Sequence, residues 1–139
     1  MAKPLFDAKS LAGQTFKLSA EVTEKLNRLS EQGQDVNAIL LELLAQREAT
    51  IEEKKEELAK EVQPTNSRYI PVKIRRVLRE EFGKKCSIPT CTQPAQEIHH
   101  AQRFSLARTH DPRYLAPLCR EHHQLAHAVD VQVQECRWC

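Results

Sequence analysis

The chain has 139 residues, of which 40% are hydrophobic and 29% charged, and its formal net charge is +2 with histidine neutral. This length allows one or two small domains, and no run of eighteen apolar residues offers a membrane-spanning helix. Five cysteines, an odd number without a recognisable secretory leader, argue against a disulfide-stapled secreted protein. We therefore expect a soluble, cytoplasmic protein with reduced cysteines, in which residues 1–13 form a disordered lead.

The next part of the chain has the pattern of a helical hairpin. Polar and apolar side chains alternate in Thr-Phe-Lys-Leu-Ser at 15–19, which suggests a short strand. Ser19 is a candidate cap for a helix that begins at Ala20, because its hydroxyl can accept from an unpaired backbone N–H. Gly33 ends this helix and Asp35 caps a second one. The apolar face of the second helix consists of Val36, Ile39, Leu40, Leu43 and Leu44.

Residues 14–46 resemble a ribbon-helix-helix unit, a DNA-binding dimer whose paired strands enter the major groove. The resemblance lies in the order of strand, helix, glycine turn and helix, although Lys17 is the only basic residue on the expected strand. The same pattern suits a helical hairpin used for self-association or docking. In either case, residues 14–62 are the candidate surface for a homodimer.

The segment that follows the hairpin, residues 47–62, is highly charged. Leu44, Ile51 and Leu58 are seven residues apart, and one apolar position per heptad is too few for a coiled coil. We interpret the segment as a solvated extension of the second helix that acts as a spacer between two halves of the protein.

The predicted domain boundary lies at Gln-Pro-Thr-Asn-Ser, residues 63–67, because proline disfavours helix in the residue before it. It separates an N-terminal region, residues 14–63, from a C-terminal domain, residues 64–139. Charge divides at the same place: residues 1–63 contain nine Lys and Arg against twelve Asp and Glu, whereas residues 64–139 contain twelve against seven. A basic domain suits a phosphate-backbone partner, so nucleic acid is the expected partner.

The C-terminal domain opens with a basic helix and contains few large apolar residues. The helix is expected from Pro71 to about Phe82, and its outward face carries Lys73, Arg75, Arg76 and Arg79.

The apolar core of this domain is expected to be small. A domain of roughly 70 residues with so few aromatic side chains buries too little apolar surface to fold comfortably alone, which favours a structural metal.

Between residues 86 and 127, three cysteines and five of the six histidines have the spacing of metal ligands. Thiolates and imidazoles are the donors that zinc prefers. The pairs Cys86-x4-Cys91 and Cys119-x2-His122 supply the four ligands of a closed, tetrahedral site. We therefore predict a structural zinc on these four side chains.

The other four of these histidines fall on a predicted strand and a predicted helix. On the helix, the side chains of His122 and His123 point about 100° apart, so they serve different sites. His123 and His127 are one turn apart and can bind a single ion. His99 and His100 are neighbours on a short strand, where side chains diverge, so one can bind the ion while the other acts on something else.

Three stretches of the chain resemble the HNH endonuclease family: Ser-Arg-Tyr-Ile-Pro-Val-Lys-Ile-Arg-Arg-Val-Leu at 67–78, Glu-Ile-His-His at 97–100 and Leu-Ala-Pro-Leu-Cys-Arg-Glu-His-His at 115–123. The resemblance covers about residues 67–128. It implies an α+β fold in which two short strands and a helix surround a catalytic ion, the ββα-metal motif. It also implies a structural zinc of the zinc-knuckle subfamily, on the four ligands given above.

The resemblance assigns roles to the remaining histidines. His100 matches the general base that takes a proton from water, and His99, His123 and His127 match ligands of a catalytic Mg²⁺, Mn²⁺, Ni²⁺, Co²⁺ or Zn²⁺. The reaction is hydrolysis of a phosphodiester bond, with double-stranded DNA as the expected substrate. The candidate residues for nucleic-acid contact are Lys73, Arg75, Arg76, Arg79, Arg103 and Arg108.

One departure from the family keeps a second function open. Tyr114 stands where the family has an asparagine that orients the loop of the base. The alternative is therefore a catalytically inactive, zinc-stabilised module that binds nucleic acid or protein. Cys136 and Cys139 are either half of another zinc site, a replacement ligand pair for the first, or two free thiols.

Overall fold

The computed structural model describes residues 15–135 of the chain, with side chains as far as Ala128. The predicted lead at 1–13 and the pair Cys136 and Cys139 lie outside the described residues. Within them, five α-helices and two short strands give the α+β class that was predicted. No helix in this part of the chain is both long and apolar enough to cross a membrane.

The chain divides into two compact units, Met1–Leu43 and Leu44–Cys139. The first unit contains α1, Ala20–Glu31, and the beginning of α2, Val36–Glu61. The division falls within α2 rather than at the predicted boundary, residues 63–67. The helix nevertheless ends close to that boundary, since residues 62–65 are irregular.

Local signals in the sequence correctly predicted where α1 begins and ends and where α2 begins. The Ser19 hydroxyl accepts from the backbone N–H of Val22 at 3.3 Å at the start of α1, and the Asp35 carboxylate accepts from two backbone N–H groups of α2. Between them, Gly33 has a φ of 76°, a conformation that glycine adopts without strain. Residues 15–19 form no strand in this single chain, and the ribbon of a ribbon-helix-helix unit pairs only between two chains.

The second half of α2 belongs to the second unit because it packs into it. Ile51 is buried, and Leu58 packs against the apolar core of the unit. Lys55 is also buried, with its Nζ 3.1 Å from a carboxylate oxygen of Glu81. The interpretation of this segment as a solvated spacer is therefore wrong for the face that carries these three residues.

The core of the second unit forms around α3, Val72–Phe82, which begins one residue after the predicted start at Pro71 and ends at Phe82 as predicted. Its members are Ile70, Ile74, Leu78 and Leu115, and Leu78 is only 2% exposed. Gly83, with a φ of 71°, ends the helix. The four basic side chains of α3 are all exposed, as expected.

The remaining elements follow α3 as two strands and a helix. Strand β1, Glu97–His100, pairs antiparallel with β2, Leu115–Leu118. The connection contains a single turn of helix, α4, Phe104–Ala107, and a 3-10 turn at Pro112–Tyr114. Helix α5, Arg120–Glu135, begins directly after β2. The order strand, strand, helix thus places the predicted histidines on β1 and α5.

Candidate metal centres and nucleic-acid groove

Cys86, Cys91, Cys119 and His122 come together in the second unit, with their sulfur and ring-nitrogen atoms within 4.8 Å of one another. The Cys91 and Cys119 sulfurs are 3.9 Å apart, and Cys86 Sγ lies 3.5 Å from His122 Nδ1. A tetrahedral zinc at ~2.3 Å from sulfur and ~2.0 Å from nitrogen separates two sulfurs by roughly 3.8 Å, and a sulfur from a nitrogen by roughly 3.5 Å. The donor atoms and their spacing therefore fit a structural zinc.

Backbone hydrogen bonds shape the loop that carries the first two cysteines. The Cys86 N–H donates to the Gln93 carbonyl at 2.9 Å, and the Cys91 N–H donates to the Ile88 carbonyl at 3.0 Å. A further bond, from the Ser87 N–H to a carbonyl of β2, fixes the loop on the sheet. The other two ligands are Cys119, directly before α5, and His122, in its first turn. The cluster therefore joins the loop to the helix.

The environment of the cluster favours ionised sulfur at one position. Burial raises the pKa of Cys86, but backbone N–H groups of Cys119 and Ile88, with contacts to the other ligands, outweigh it and lower the pKa to about 7. At Cys119 the backbone N–H of His122 lowers the pKa, whereas burial and neighbouring side chains raise it to about 11. The thiolate, which is the form that binds metal, is thus accessible near neutral pH at Cys86.

His99 on β1 and His123 and His127 on α5 form a second cluster, in which one ring nitrogen from each lies within 4.8 Å of the others. The Nε2 atoms of His123 and His127 are 3.2 Å apart. Two imidazoles that bind one ion at ~2.0–2.1 Å bring their nitrogens to roughly 3 Å, so this spacing is compatible with a shared ion. His99 is buried and His127 is exposed, so the cluster opens to the surface on one side.

Glu97 belongs to this cluster and was missed by the sequence analysis. Its Oε2 lies 2.7 Å from Nδ1 of His123, which leaves Nε2 of that ring for an ion. Carboxylates that accept from the second nitrogen of a metal-binding imidazole orient the ring and raise its basicity. The signal was the strand period, since Glu97 and His99 are two residues apart and share a face of β1.

His100 lies beside this cluster but is not part of it. Its Nε2 is 3.0 Å from Nδ1 of His110, whose Nε2 is 2.9 Å from the Ser67 carbonyl. Burial lowers the pKa of His100 to about 4, with contributions from charge on the neighbouring imidazoles. The ring is therefore neutral at pH 7, which is the form that accepts a proton. His110 is buried, at 4% exposure.

A groove of about 960 Å³ runs past the histidines, with His100, His123 and His127 in its lining. Its lining also includes four guanidinium groups, those of Arg68, Arg75, Arg103 and Arg108. One carboxylate, that of Glu97, stands against these four positive charges in the lining. Such a groove attracts phosphate groups.

Not every predicted contact residue faces this groove. Arg75, Arg103 and Arg108 line it, whereas Arg76 and Arg79 are exposed on α3 outside it. Lys73 is also outside and lies 3.7 Å from a carboxylate oxygen of Glu61. Arg68 lines the groove and was missed, because it precedes α3 and is therefore not on the basic face of that helix.

Tyr114 lies at the position where the HNH family has asparagine. Its backbone carbonyl accepts from the Ala101 N–H at 2.8 Å, so the main chain joins the end of β1 to the 3-10 turn before β2. Its side chain is 41% exposed. The side chain of Asp111 caps this turn by accepting from the Arg113 N–H at 3.0 Å. The backbone bond beside His100 therefore forms without an asparagine side chain at this position.

No family model, curated protein or solved structure matches the chain. The resemblance to HNH endonucleases thus rests on the three stretches at 67–78, 97–100 and 115–123. The geometry adds the order of two strands and a helix, two clusters of potential metal ligands, and a fourth imidazole beside a basic groove.

Proposed function

We propose that this chain is a metal-dependent endonuclease of the HNH type that hydrolyses phosphodiester bonds of nucleic acid, with double-stranded DNA as its substrate. The observation that carries the proposal is the arrangement of four imidazoles, of which His100, His123 and His127 line the groove and His99 is buried against the last two. Three of them, His99, His123 and His127, can meet at one ion, and His100 stands beside them without joining them. Hydrolysis needs this division between groups that hold the ion and a group that takes a proton.

The residues of the chain divide the work as follows. His99, His123 and His127 would hold a divalent ion, which supplies polarisation of a phosphate oxygen and stabilisation of the departing 3′ oxygen. His100 takes a proton from the water that attacks phosphorus in line, and it is neutral at pH 7 because burial lowers its pKa to about 4. Glu97 holds His123 in the required orientation through the contact at Nδ1.

The arginines of the groove position the substrate. Arg68, Arg75, Arg103 and Arg108 neutralise backbone phosphates on either side of the bond that is cut, since guanidinium groups pair well with phosphate oxygens. Arg108 also donates to Asn66 at 3.2 Å, which restricts its position in the free protein.

The zinc cluster supports catalysis through α5. His122 would hold zinc and His123 would hold the second ion, and the two residues are adjacent in the first turn of that helix. A zinc that fixes the start of α5 therefore also fixes where His123 and His127 meet His99. Zinc has a structural role in this proposal, with no position left open for water.

The second candidate is an inactive zinc-stabilised module that binds nucleic acid or protein. Tyr114 in place of the family asparagine favours it. That module needs the zinc cluster and the basic groove but gives no reason for three further histidines within reach of one ion. Catalysis is therefore the function that the geometry supports best.

The test is cleavage of plasmid DNA in the presence of Mg²⁺, Mn²⁺, Ni²⁺, Co²⁺ or Zn²⁺, with wild type beside His100→Ala. The variant loses the proposed base but no proposed metal ligand, so zinc content and DNA affinity should stay near wild type. Its cleavage rate should fall by roughly 10²–10⁴-fold, the usual contribution of a positioned acid or base.

Two further variants sharpen this experiment. His123→Ala should lose cleavage through weaker ion binding, so that excess metal restores part of the rate. Gln124→Ala changes an exposed neighbour on the same helix and should cut as wild type does. A wild-type protein that holds zinc and binds DNA, yet cuts with none of the five ions, would establish the binding module instead.

A further inference from the structure

We infer that His110 is a positioning residue for the proposed reaction: it holds the proton of His100 on Nε2 and thereby leaves Nδ1 as the nitrogen that accepts the proton of water. The contacts that carry this inference join His100 to His110 and His110 to the backbone of Ser67. The inference rests on the proposed nuclease function for its catalytic consequence, whereas the assigned tautomer does not depend on it.

The partners of the two rings decide where the protons lie. A backbone carbonyl can only accept, so the bond at 2.9 Å requires that His110 Nε2 carry hydrogen and donate it to Ser67. In a neutral imidazole the other nitrogen then holds a lone pair, so His110 Nδ1 is an acceptor. The contact at 3.0 Å therefore needs a hydrogen on His100 Nε2. The lone pair of neutral His100 is thus on Nδ1.

Packing keeps the two rings in this arrangement. Phe104 stacks on His110, with ring centroids 5.0 Å apart and an angle of 11° between planes, and its centroid is 5.2 Å from that of His100. His110 is 4% exposed, so bulk water has little access to its nitrogens. Rotation of either ring would break these hydrogen bonds, and a lost bond is costly at the buried His110.

The contact with His110 fixes one neutral tautomer of His100, which an imidazole on a short strand does not have by itself. Free imidazole exchanges between two neutral tautomers, and only one of them offers its lone pair at a given nitrogen. In serine-protease triads, a change that imposes the wrong tautomer costs about 10⁴-fold in rate although the geometry is kept. His110 acts here through His100 and needs no contact with substrate.

The tautomer is read directly by two-bond ¹H–¹⁵N correlation spectra of ¹⁵N-histidine-labelled, zinc-loaded full-length protein at pH 7.5. The expected spectrum shows His100 with a protonated Nε2 and an unprotonated Nδ1. A spectrum with the proton of His100 on Nδ1 would overturn the inference, whether or not the protein cuts DNA.

Two isosteric variants test the role of His110. His110→Asn places an amide oxygen where Nδ1 was, so it keeps an acceptor for His100, whereas His110→Gln places its amide nitrogen near the Ser67 carbonyl and offers His100 nothing. We expect the asparagine variant to keep the tautomer and cut within roughly tenfold of wild type, and the glutamine variant to lose both, with a rate at least roughly 10²-fold lower.

Zinc content and circular dichroism serve as controls for folding in both variants. Equal rates for the two variants, or an unchanged tautomer of His100 in His110→Gln, would show that His110 is only structural. If wild type cuts with no ion, the proposed function fails, and the spectra of wild type and of the glutamine variant still decide the tautomer. If a variant does not fold, the wild-type spectrum decides alone.

Discussion

At the scale of single residues, the candidate centre combines ligands with groups that orient them. His123 contacts Glu97 through one ring nitrogen and His127 through the other. Its Nδ1 lies 2.7 Å from Glu97 Oε2, and its Nε2 lies 3.2 Å from His127 Nε2. An imidazole held at Nδ1 by a carboxylate presents Nε2 in a fixed direction and with higher basicity. In the proposed site the carboxylate would therefore contribute to ion affinity without touching the ion.

Glu97→Gln tests this contribution. The amide keeps the size of the side chain but removes the charge, so affinity for Ni²⁺ at the three-histidine cluster should fall by roughly 10–100-fold. Calorimetric titration of Ni²⁺ into zinc-loaded protein measures this. Glu53→Gln removes the same charge from an exposed position on α2 and should leave the affinity unchanged. Equal affinities for wild type and Glu97→Gln would exclude the orienting role.

The ligands could be predicted from the sequence, and the orienting groups could not. Cys119 and His122 are three residues apart, so local spacing alone showed that they can share an ion. The partners of the other groups are distant in sequence: His110 contacts Ser67, and Glu97 contacts His123. Those contacts exist only once β1, the connection after it and α5 have packed. The strand period places Glu97 on the same face of β1 as His99, but no spacing in the sequence indicates that Glu97 contacts His123 or that His110 contacts Ser67.

At the scale of elements, helix ends were predictable because caps are local, but burial of one helix face was not. Ile51, Lys55 and Leu58 have the spacing i, i+4, i+7 of one helix face. Counting apolar residues missed this stripe because its middle member is a lysine. Lys55 lays its aliphatic stem along the face and brings its ammonium group to Glu81 at 3.1 Å.

The loop that carries Cys86 and Cys91 is the element that depends most on metal. We expect about one tightly bound Zn²⁺ per chain, and Cys91→Ser should cause loss of zinc and cooperative structure in the second unit. Structural zinc in finger peptides contributes an apparent 10–16 kcal/mol, about as much as the whole stability of a small domain. Metal analysis and thermal melts by circular dichroism measure both effects.

The matched control is a double change of Cys136 and Cys139 to serine, which removes two sulfurs outside the described residues. Zinc content should stay at about one per chain, which would also exclude these two cysteines as replacement ligands. A folded Cys91→Ser protein without zinc would contradict the structural role of the metal.

At the scale of the whole molecule, the first unit lacks a core of its own. None of residues 15–43 is buried, and large apolar side chains on both of its helices are exposed, Leu41 at 68% among them. Short helices without tertiary packing are marginal in water, so the hairpin needs a partner surface. A second copy of the chain is the partner that the apolar face of α2 predicts, through residues 15–44 rather than as far as residue 62, since Ile51 is already covered within the chain.

Truncation of the chain and substitution by a charged residue together test the dimer. By sedimentation at micromolar concentration, the full chain should be a dimer, and a chain that begins at Leu44 should be a folded monomer. The start matters, because a chain that begins at Asn66 loses Ile51 and Leu58 from the second unit and should melt at lower temperature. Leu43→Glu should dissociate the full chain, since it places a charge on the apolar face of α2, whereas Asn27→Glu adds the same charge at an exposed polar position and should remain a dimer. A monomeric full chain, or a Leu43→Glu protein that still dimerises, would show that this face is not where two copies meet.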